Sequence, residues 1–367
     1  MTPPTPQEVA TMTDLASATF GARILFATDE WFAPASDLLR PESPVFIADK
    51  FTSYGKWMDG WESRRKRTPG HDWCIIKLGL RGAIDVVDVD TAFFTGNNAP
   101  QVSVQAAHFP QGGEADKLLQ LFTAKATAER PVGVCATHLE LELAEQLNSQ
   151  EWTEIVPFTK LGAGYPETRH NLLRVPPSKR GPWTHLRINM FPDGGIARLR
   201  AFGEVVMDWA SVPTSKLLDL VSVENGGRVV VFNDAHYGHP RNLMAPGRSK
   251  TMAGKDWVIL KLGHLGIIQQ IEVDTNHFKG NFPESCVVYG ARFYGKDELL
   301  KAGTLKWEVL LPRVKLEAHK QHYFSVADNT VTLIPAGVNY VKLEMFPDGG
   351  ISRLRLLGYK KDGAARL

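Results

Sequence analysis

The chain contains one sequence pattern twice. Residues Met190–Gly203, MFPDGGIARLRAFG, recur as Met345–Gly358, MFPDGGISRLRLLG, without a gap at a shift of 155. Upstream, Asp72-Trp73 and Asp256-Trp257 open a second pair at a shift of 184. It continues as Lys77-Leu78-Gly79 and Lys261-Leu262-Gly263, then Val89-Asp90-Thr91 and Val273-Asp274-Thr275, then Phe94/Phe278 and Gly96/Gly280. Near the copy starts, Asp29, Phe32, Asp37 and Leu38 face Asp234, Tyr237, Asn242 and Leu243 at a shift of 205. Three matches in one order mark a repeated structural unit. A chain of 367 residues built this way folds as two similar modules, not around one core.

The shift falls from 205 to 184 across Pro41–His71, and from 184 to 155 between Ala107 and Trp152. Copy one therefore carries insertions of 21 and 29 residues. The second contains GEADKLLQLFTAKATAER, which reads as a surface helix.

Strands dominate the rest. WCIIKL (Trp73–Leu78), WVILKL (Trp257–Leu262), RVVVF (Arg228–Phe232) and CVVYGARF (Cys286–Phe293) are short, β-branched and aromatic, and breakers bound them. Apolar and polar residues alternate in HLRINMF (His185–Phe191) and VKLEMF (Val341–Phe346), as in a half-buried strand. PDGG then offers Pro and two glycines for a tight reversal, the glycines supplying φ > 0. The strand after it puts Arg198 and Arg200 on one face, and copy two repeats this with Arg353 and Arg355. The expected fold is all-β dominated, with two tandem antiparallel β-sandwich or jelly-roll domains and a few short helices. The expected domains are 20–208 and 226–361, joined by a linker at 209–225 where breakers gather.

Composition limits the function classes. With 42 basic and 40 acidic residues the net charge is +2, which gives no reason to expect nucleic acid or a membrane surface as partner. Cys74, Cys135 and Cys286 fit neither a disulfide framework nor a zinc motif, so reduced thiols and an intracellular setting are expected. No stretch approaches the ~18 apolar residues of a membrane span. The start, MTPPTPQEVATMTD, lacks secretory-signal features. Cytoplasmic localisation is expected, with a peroxisomal minority reading from Ala365-Arg366-Leu367. Neither His236/His239 nor His319/His322 sits in a metal motif, and GxSxG, Walker A and GxGxxG patterns are absent.

The richest chemistry lies in the first insertion. Lys56–Arg67, KWMDGWESRRKR, followed by His71-Asp72, combines carboxylates (Asp59, Glu62), tryptophans (Trp57, Trp61) and four consecutive bases. Gly60 permits a tight turn there. Such a loop can present acid, base and anion-binding groups to a small polar substrate, or it can be a solvated loop whose arginines pair with its own acids. Asp29 and Glu30, after a strand, are further acid–base candidates if partly buried. Asp29 recurs in copy two, which suits a turn or cap, whereas Glu30 faces Ala235. The arginine pairs suit either a bound carboxylate or a salt-bridge ladder on the sheet.

FATDEWFAPASDLL (Phe26–Leu39), GKWMDGWESRR (Gly55–Arg65), GHDWCIIKLG (Gly70–Gly79) and FPDGGIARLR (Phe191–Arg200) together resemble the allantoicase (allantoate amidinohydrolase) family, over nearly the whole chain. The resemblance implies two jelly rolls similar to galactose-binding modules, a homo-oligomer, a role in purine (ureide) breakdown, and hydrolysis of allantoate to ureidoglycolate and urea. Copy two departs from the pattern, with GRSKTMAGKDW (Gly247–Trp257) where copy one has its loaded loop. That argues against independent catalysis there.

Allantoate carries one carboxylate and two ureido groups on a single carbon. Such a substrate needs a cation, N–H acceptors, an acid for the departing urea and a base for water. The candidate catalytic residues are Glu30, Asp59, Glu62 and His71. The candidate substrate-binding residues are Asp29, Lys56, Trp61, Arg64, Arg65, Arg198 and Arg200. No organic cofactor and no dedicated metal site are expected, an adventitious divalent ion aside. The rival reading is a non-catalytic tandem of small-ligand or carbohydrate-binding modules.

Overall fold

The computed structural model describes residues 4–362 apart from 6–7, 10, 111–112, 114–121, 123–131, 234–242, 245–256, 298–299 and 301–304. The expected surface helix within 113–130, the His236/His239 pair, most of 247–257 and the C-terminal tripeptide lie outside the described residues. The chain divides into Met1–Glu204 and Val205–Leu367.

Each unit builds an eight-stranded sheet from the same sequence of strands. Unit 1 has β1 (Thr13–Asp14), β2 (Arg23–Ala27), β3 (Asp72–Asp90), β4 (Gln101–Ala107), β5 (Thr153–Lys160), β6 (His170–Arg174), β7 (Trp183–Phe191) and β8 (Arg198–Val205). Unit 2 has β9 (Leu218–Asp219), β10 (Arg228–Phe232), β11 (Trp257–Asp274), β12 (Ser285–Ala291), β13 (Glu308–Lys315), β14 (Gln321–Ser325), β15 (Val338–Phe346) and β16 (Arg353–Lys360). The strand order is β1-β8-β3-β7-β4-β5 in the first, with β2 and β6 also on β3. It is β9-β16-β11-β15-β12-β13 in the second, with β10 and β14 on β11. The two orders are the same, strand for strand.

The long strand explains how one sheet makes a jelly roll. In unit 2, Trp257–Lys261 runs antiparallel to β15 and Gly266–Asp274 runs antiparallel to β16. Strands β15 and β16 reverse direction through the PDGG turn, so β11 must double back as it passes from one layer to the other. Both its ends therefore lie beside that turn. Unit 1 shows this through hydrogen bonds: Asp72 N donates to Pro192 O at 3.0 Å, and Ala197 N to Asp90 O at 2.8 Å. The loops leaving both ends of β3 share one end of the sandwich.

The PDGG glycines serve two purposes, not one. Gly194 and Gly349 have φ of 132° and 134°, in the left-handed half of backbone space that glycine tolerates. Gly195 and Gly350 are needed for space instead, because a Cβ on either would enter the ring of Phe94 or Phe278. Gly60 likewise serves a close approach: its Cβ would strike the backbone of Ile196 and Ala197.

The repeats begin earlier than the expected boundaries. Asp14 Oδ2 pairs with Arg200 Nη1 at 3.3 Å, while Asp14 Oδ1 accepts from the amides of Ala16 and Ala201. Asp219 does the same with Arg355, Val221 and Leu356. This clamp fastens the short edge strand of each unit, so 218–225 belongs to unit 2 and does not hang between domains. Trp209, Val212, Leu220 and Val221 are buried there. The Arg200 and Arg355 positions are accounted for by this clamp.

Alternation along β7 decides what faces where. Leu186, Ile188 and Met190 are fully buried with Val102 and Val104 of β4. His185, Arg187 and Asn189 point to the opposite face. That face is partly roofed by the second insertion, whose helix α1 (His138–Glu145) starts with a capping box between Thr137 and Glu140. Ala144, Leu147, Phe109 and Trp152 from this insertion pack on Phe26, Trp73 and Ile75.

Candidate active site

The expected site residues divide into several groups when placed. Asp29 Oδ2 binds Arg64 Nε at 2.7 Å, and Arg64 stacks over Trp31 at 4.3 Å. Trp61 is fully buried and donates from Nε1 to Asp29 O at 2.7 Å, so it braces the loop from within the core. Glu30 is 1% exposed and accepts from Ala35 N at 2.9 Å. Lys56 donates to the carbonyls of Ile47 and Ala48. Arg65 reaches Asp193 at 3.4 Å from a largely exposed position.

Asp59 and Arg198 form a buried pair at 2.9 Å. Arg198 is 1% exposed, and its remaining N–H groups donate to the carbonyls of Glu42, Asp59 and Ala197. Asp59 also accepts from Val45 N at 2.9 Å. Every nitrogen of the Arg198 guanidinium is thus engaged in holding loop 42–59 against β8. The groups expected for substrate binding on Arg198 and for catalysis on Asp59 are the ones engaged in this pair.

Glu62 and His71 differ from the rest. Glu62 lies on a short strand between Ala33 and Gly195, and Oε1 accepts from Asn97 Nδ2 at 2.7 Å. Among the described residues no cation pairs with it. Burial pushes its carboxyl above the usual range, against the smaller effect of the Asn97 bond.

His71 is half-buried and tilted against Phe191, with ring centres 4.4 Å apart. Its Nε2 lies 2.9 Å from Asn189 Oδ1. Asn189 Oδ1 also accepts from Arg187 Nε at 2.8 Å, and Nδ2 donates to Ser103 Oγ and Gln105 Oε1 at 3.0 and 2.7 Å. Arginine can only donate, so the Asn189 oxygen must face it; His71 Nε2 must then carry the proton. The basic lone pair of the neutral ring is on Nδ1, which has no hydrogen-bond partner among the described residues. Burial first, and then the Arg187 charge, hold the His71 pKa below its ordinary value despite the Asn189 bond. Nearby, Lys66 Nζ binds Asp72 Oδ1 at 2.6 Å, and Thr28 Oγ1 donates to the same oxygen at 2.8 Å.

Arg187, Asn189, Ser103, Gln105, Lys66 and Asn97 were not singled out from sequence. A signal existed: at the shift of 155, Arg187 and Asn189 align with Lys342 and Glu344, so copy one lacks the acid that copy two has beside its cation. Among the described residues no three His, Cys, Asp or Glu side chains group as a metal ion would require. Glu62, Asn97, Lys66, His71 and Asp193 all surround the end of the sandwich where β3 meets the PDGG turn.

The allantoicase repeat model matches residues 13–206 and 218–361, one match for each unit. The chain belongs to the allantoicase repeat family. It is 40% identical over 357 residues to a probable allantoicase of Pseudomonas aeruginosa, covering 94% of this chain and 95% of that protein. A probable allantoicase of Ralstonia nicotianae is 41% identical, at 94% coverage of each. The crystal structure of Saccharomyces cerevisiae allantoicase superposes with a TM-score of 0.66 at 31% identity, covering 95% of this chain and 93% of that one. The allantoicase matches begin at 13 and 218, which agrees with the Asp14 and Asp219 clamps as the start of each repeat.

Proposed function

We propose that this chain is a hydrolase that converts allantoate and water to ureidoglycolate and urea, a step of purine (ureide) degradation. The observation that carries the reading is full-length similarity to allantoicases in a chain whose first repeat alone carries the loop holding Glu62 and His71. The reaction breaks the bond between the central carbon and one ureido nitrogen. Water supplies hydroxyl to that carbon and one proton to a base, while an acid gives a proton to the departing nitrogen.

His71 suits the base, because its lowered pKa keeps the ring neutral at pH 7 and its tautomer leaves Nδ1 to accept the water proton. Glu62 suits the acid, because burial makes its carboxyl hold a proton more strongly and no cation among the described residues offsets it. Asn97 orients Glu62, and Asn189 orients His71. Arg64 and Arg65 stay at the loop surface as groups a ureide could meet on entry, with Asp29 buried behind Arg64. No organic cofactor and no resident metal enter this scheme.

Self-association belongs to the same reading, and the exposed apolar side chains Val45, Phe46, Ile47 and Phe51 offer surface for it. So does cytoplasmic localisation; no helix among the described residues is long and apolar enough to cross a membrane. The rival reading, a non-catalytic binding tandem, leaves the difference between the two repeats without a purpose. Measuring urea released from allantoate, with His71→Ala protein as the control, tests the proposal.

A further inference from the structure

Among the described residues, Arg187 is a buried cation without an acid. The residue is 6% exposed, its guanidinium lies over Trp73 at 3.9 Å, and burial lowers its pKa to about 10. Nε is held by Asn189 and Nη1 by Ser149 Oγ at 2.7 Å, both neutral partners. Among the described residues Nη2 has no partner at all. The other side chains gathered here, Ser103, Gln105 and the neutral ring of His71, bring no negative charge either.

Repeat two resolves the same position differently. Lys342, the counterpart of Arg187, is paired with Glu344, the counterpart of Asn189. On the same face Arg228 and Lys261 share Asp297, to which the Tyr340 hydroxyl donates at 2.6 Å. Repeat two neutralises these three cations from within, whereas repeat one, among the described residues, keeps Arg187 uncompensated where desolvation is costly. An arrangement of that kind persists when the missing charge comes from a ligand.

We propose that Arg187 receives the carboxylate of the substrate, which makes repeat one selective for small carboxylates that bear a ureido group on the α carbon. The inference rests on the allantoate reading and assigns the cation that reading requires. Arg64, Arg65 and Arg198 each already face a carboxylate, on Asp29, Asp193 and Asp59. Arg187 has none among the described residues, and its bond to Asn189 ties the carboxylate position to the base on His71. A planar guanidinium with a vacant N–H edge is suited to this contact.

The test compares kcat/KM for allantoate with that for its neutral carboxamide analogue, in wild-type protein and in the variants Arg187→Gln and Asn189→Glu. The second variant imports the counter-charge of repeat two while keeping the guanidinium, so it decides the matter if Arg187→Gln does not fold. The expected result is a preference for allantoate in the wild type that falls by about 100-fold in either variant, mainly through KM. A merely structural Arg187 lowers both substrates together, and an unchanged preference ratio overturns the assignment. Failure of wild-type protein to hydrolyse allantoate rejects the functional reading instead. Titration with ureidoacetate then decides Arg187 separately: binding by wild type that Arg187→Gln loses supports a carboxylate site, and equal or absent binding overturns it.

Discussion

Arg187 and Asn189 lie two residues apart on one strand, and the 2.8 Å bond between them determines how the Asn189 amide is turned. Through that amide, an obligate donor fixes which nitrogen of His71 carries its proton. Both side chains come from the alternation of β7, which sends one set of residues into the sandwich core and leaves the other set for chemistry.

His71→Ala is expected to lower kcat by roughly 10²–10⁴-fold, as removal of a general base does. The wild-type profile of kcat/KM against pH should fall on the acid side, with a midpoint below the ordinary His value, since protonation removes the base. A stopped assay across pH 4–9 checks both. Retention of the acid limb in His71→Ala would assign it to another group.

For Glu62 the shift runs the other way. Burial raises its pKa, so the protonated acid persists above the ordinary carboxylate range and is lost on the alkaline side. Glu62→Gln should cut kcat by about 10²-fold or more and remove that alkaline limb. Unchanged turnover would leave Glu62 a carboxylate that only positions Asn97.

Arg198 and Asp59 should matter to stability before activity. Arg198→Met leaves the Asp59 carboxylate buried beside a lost partner, which costs about 3–5 kcal/mol. Urea unfolding measures it, and the double variant Arg198→Met/Asp59→Leu should cost less than the two single changes added together. Strict additivity would mean that the two side chains do not act as a pair.

Asp37 offers a pH test of the fold. Burial raises its carboxyl to about 6, more than the neighbouring Arg40 lowers it. A raised folded pKa stabilises below the unfolded value, and that contribution is lost as pH rises through 6. Repeat two has Asn242 at the matching position. Asp37→Asn should therefore flatten the loss of thermal midpoint between about pH 4 and pH 6, the interval bounded by the unfolded and folded pKa values. A parallel decline in wild type and variant would place the dependence elsewhere.

Much of the fold was legible because both copies repeat the same strand and turn signals. The strands containing Trp73, His185, Arg228, Trp257, Cys286 and Val341, the PDGG reversal and the loaded loop follow from periodicity, breakers and insertion lengths. The edge clamp was not legible, since Asp14 and Asp219 meet their arginines only across a folded sheet. Within the loaded loop, composition could not separate Asp59, engaged by Arg198, from Glu62, which pairs with no cation among the described residues. Trp61 shows the same limit: its ring is a core element, although its neighbours in sequence are charged. Arg187 was missed because alternation alone makes it look like an ordinary polar position on a half-buried strand. Only the roof formed by the second insertion buries it, and only the contrast with Lys342–Glu344 shows the absent acid.

Allantoate hydrolysis by this chain is measured by incubating the purified protein with allantoate and quantifying urea and ureidoglycolate together, before and after treatment with a chelator. Release of the two products in equal amounts is expected, unaffected by chelation and abolished in His71→Ala. No release from well-folded wild-type protein, or turnover that His71→Ala retains in full, would contradict it.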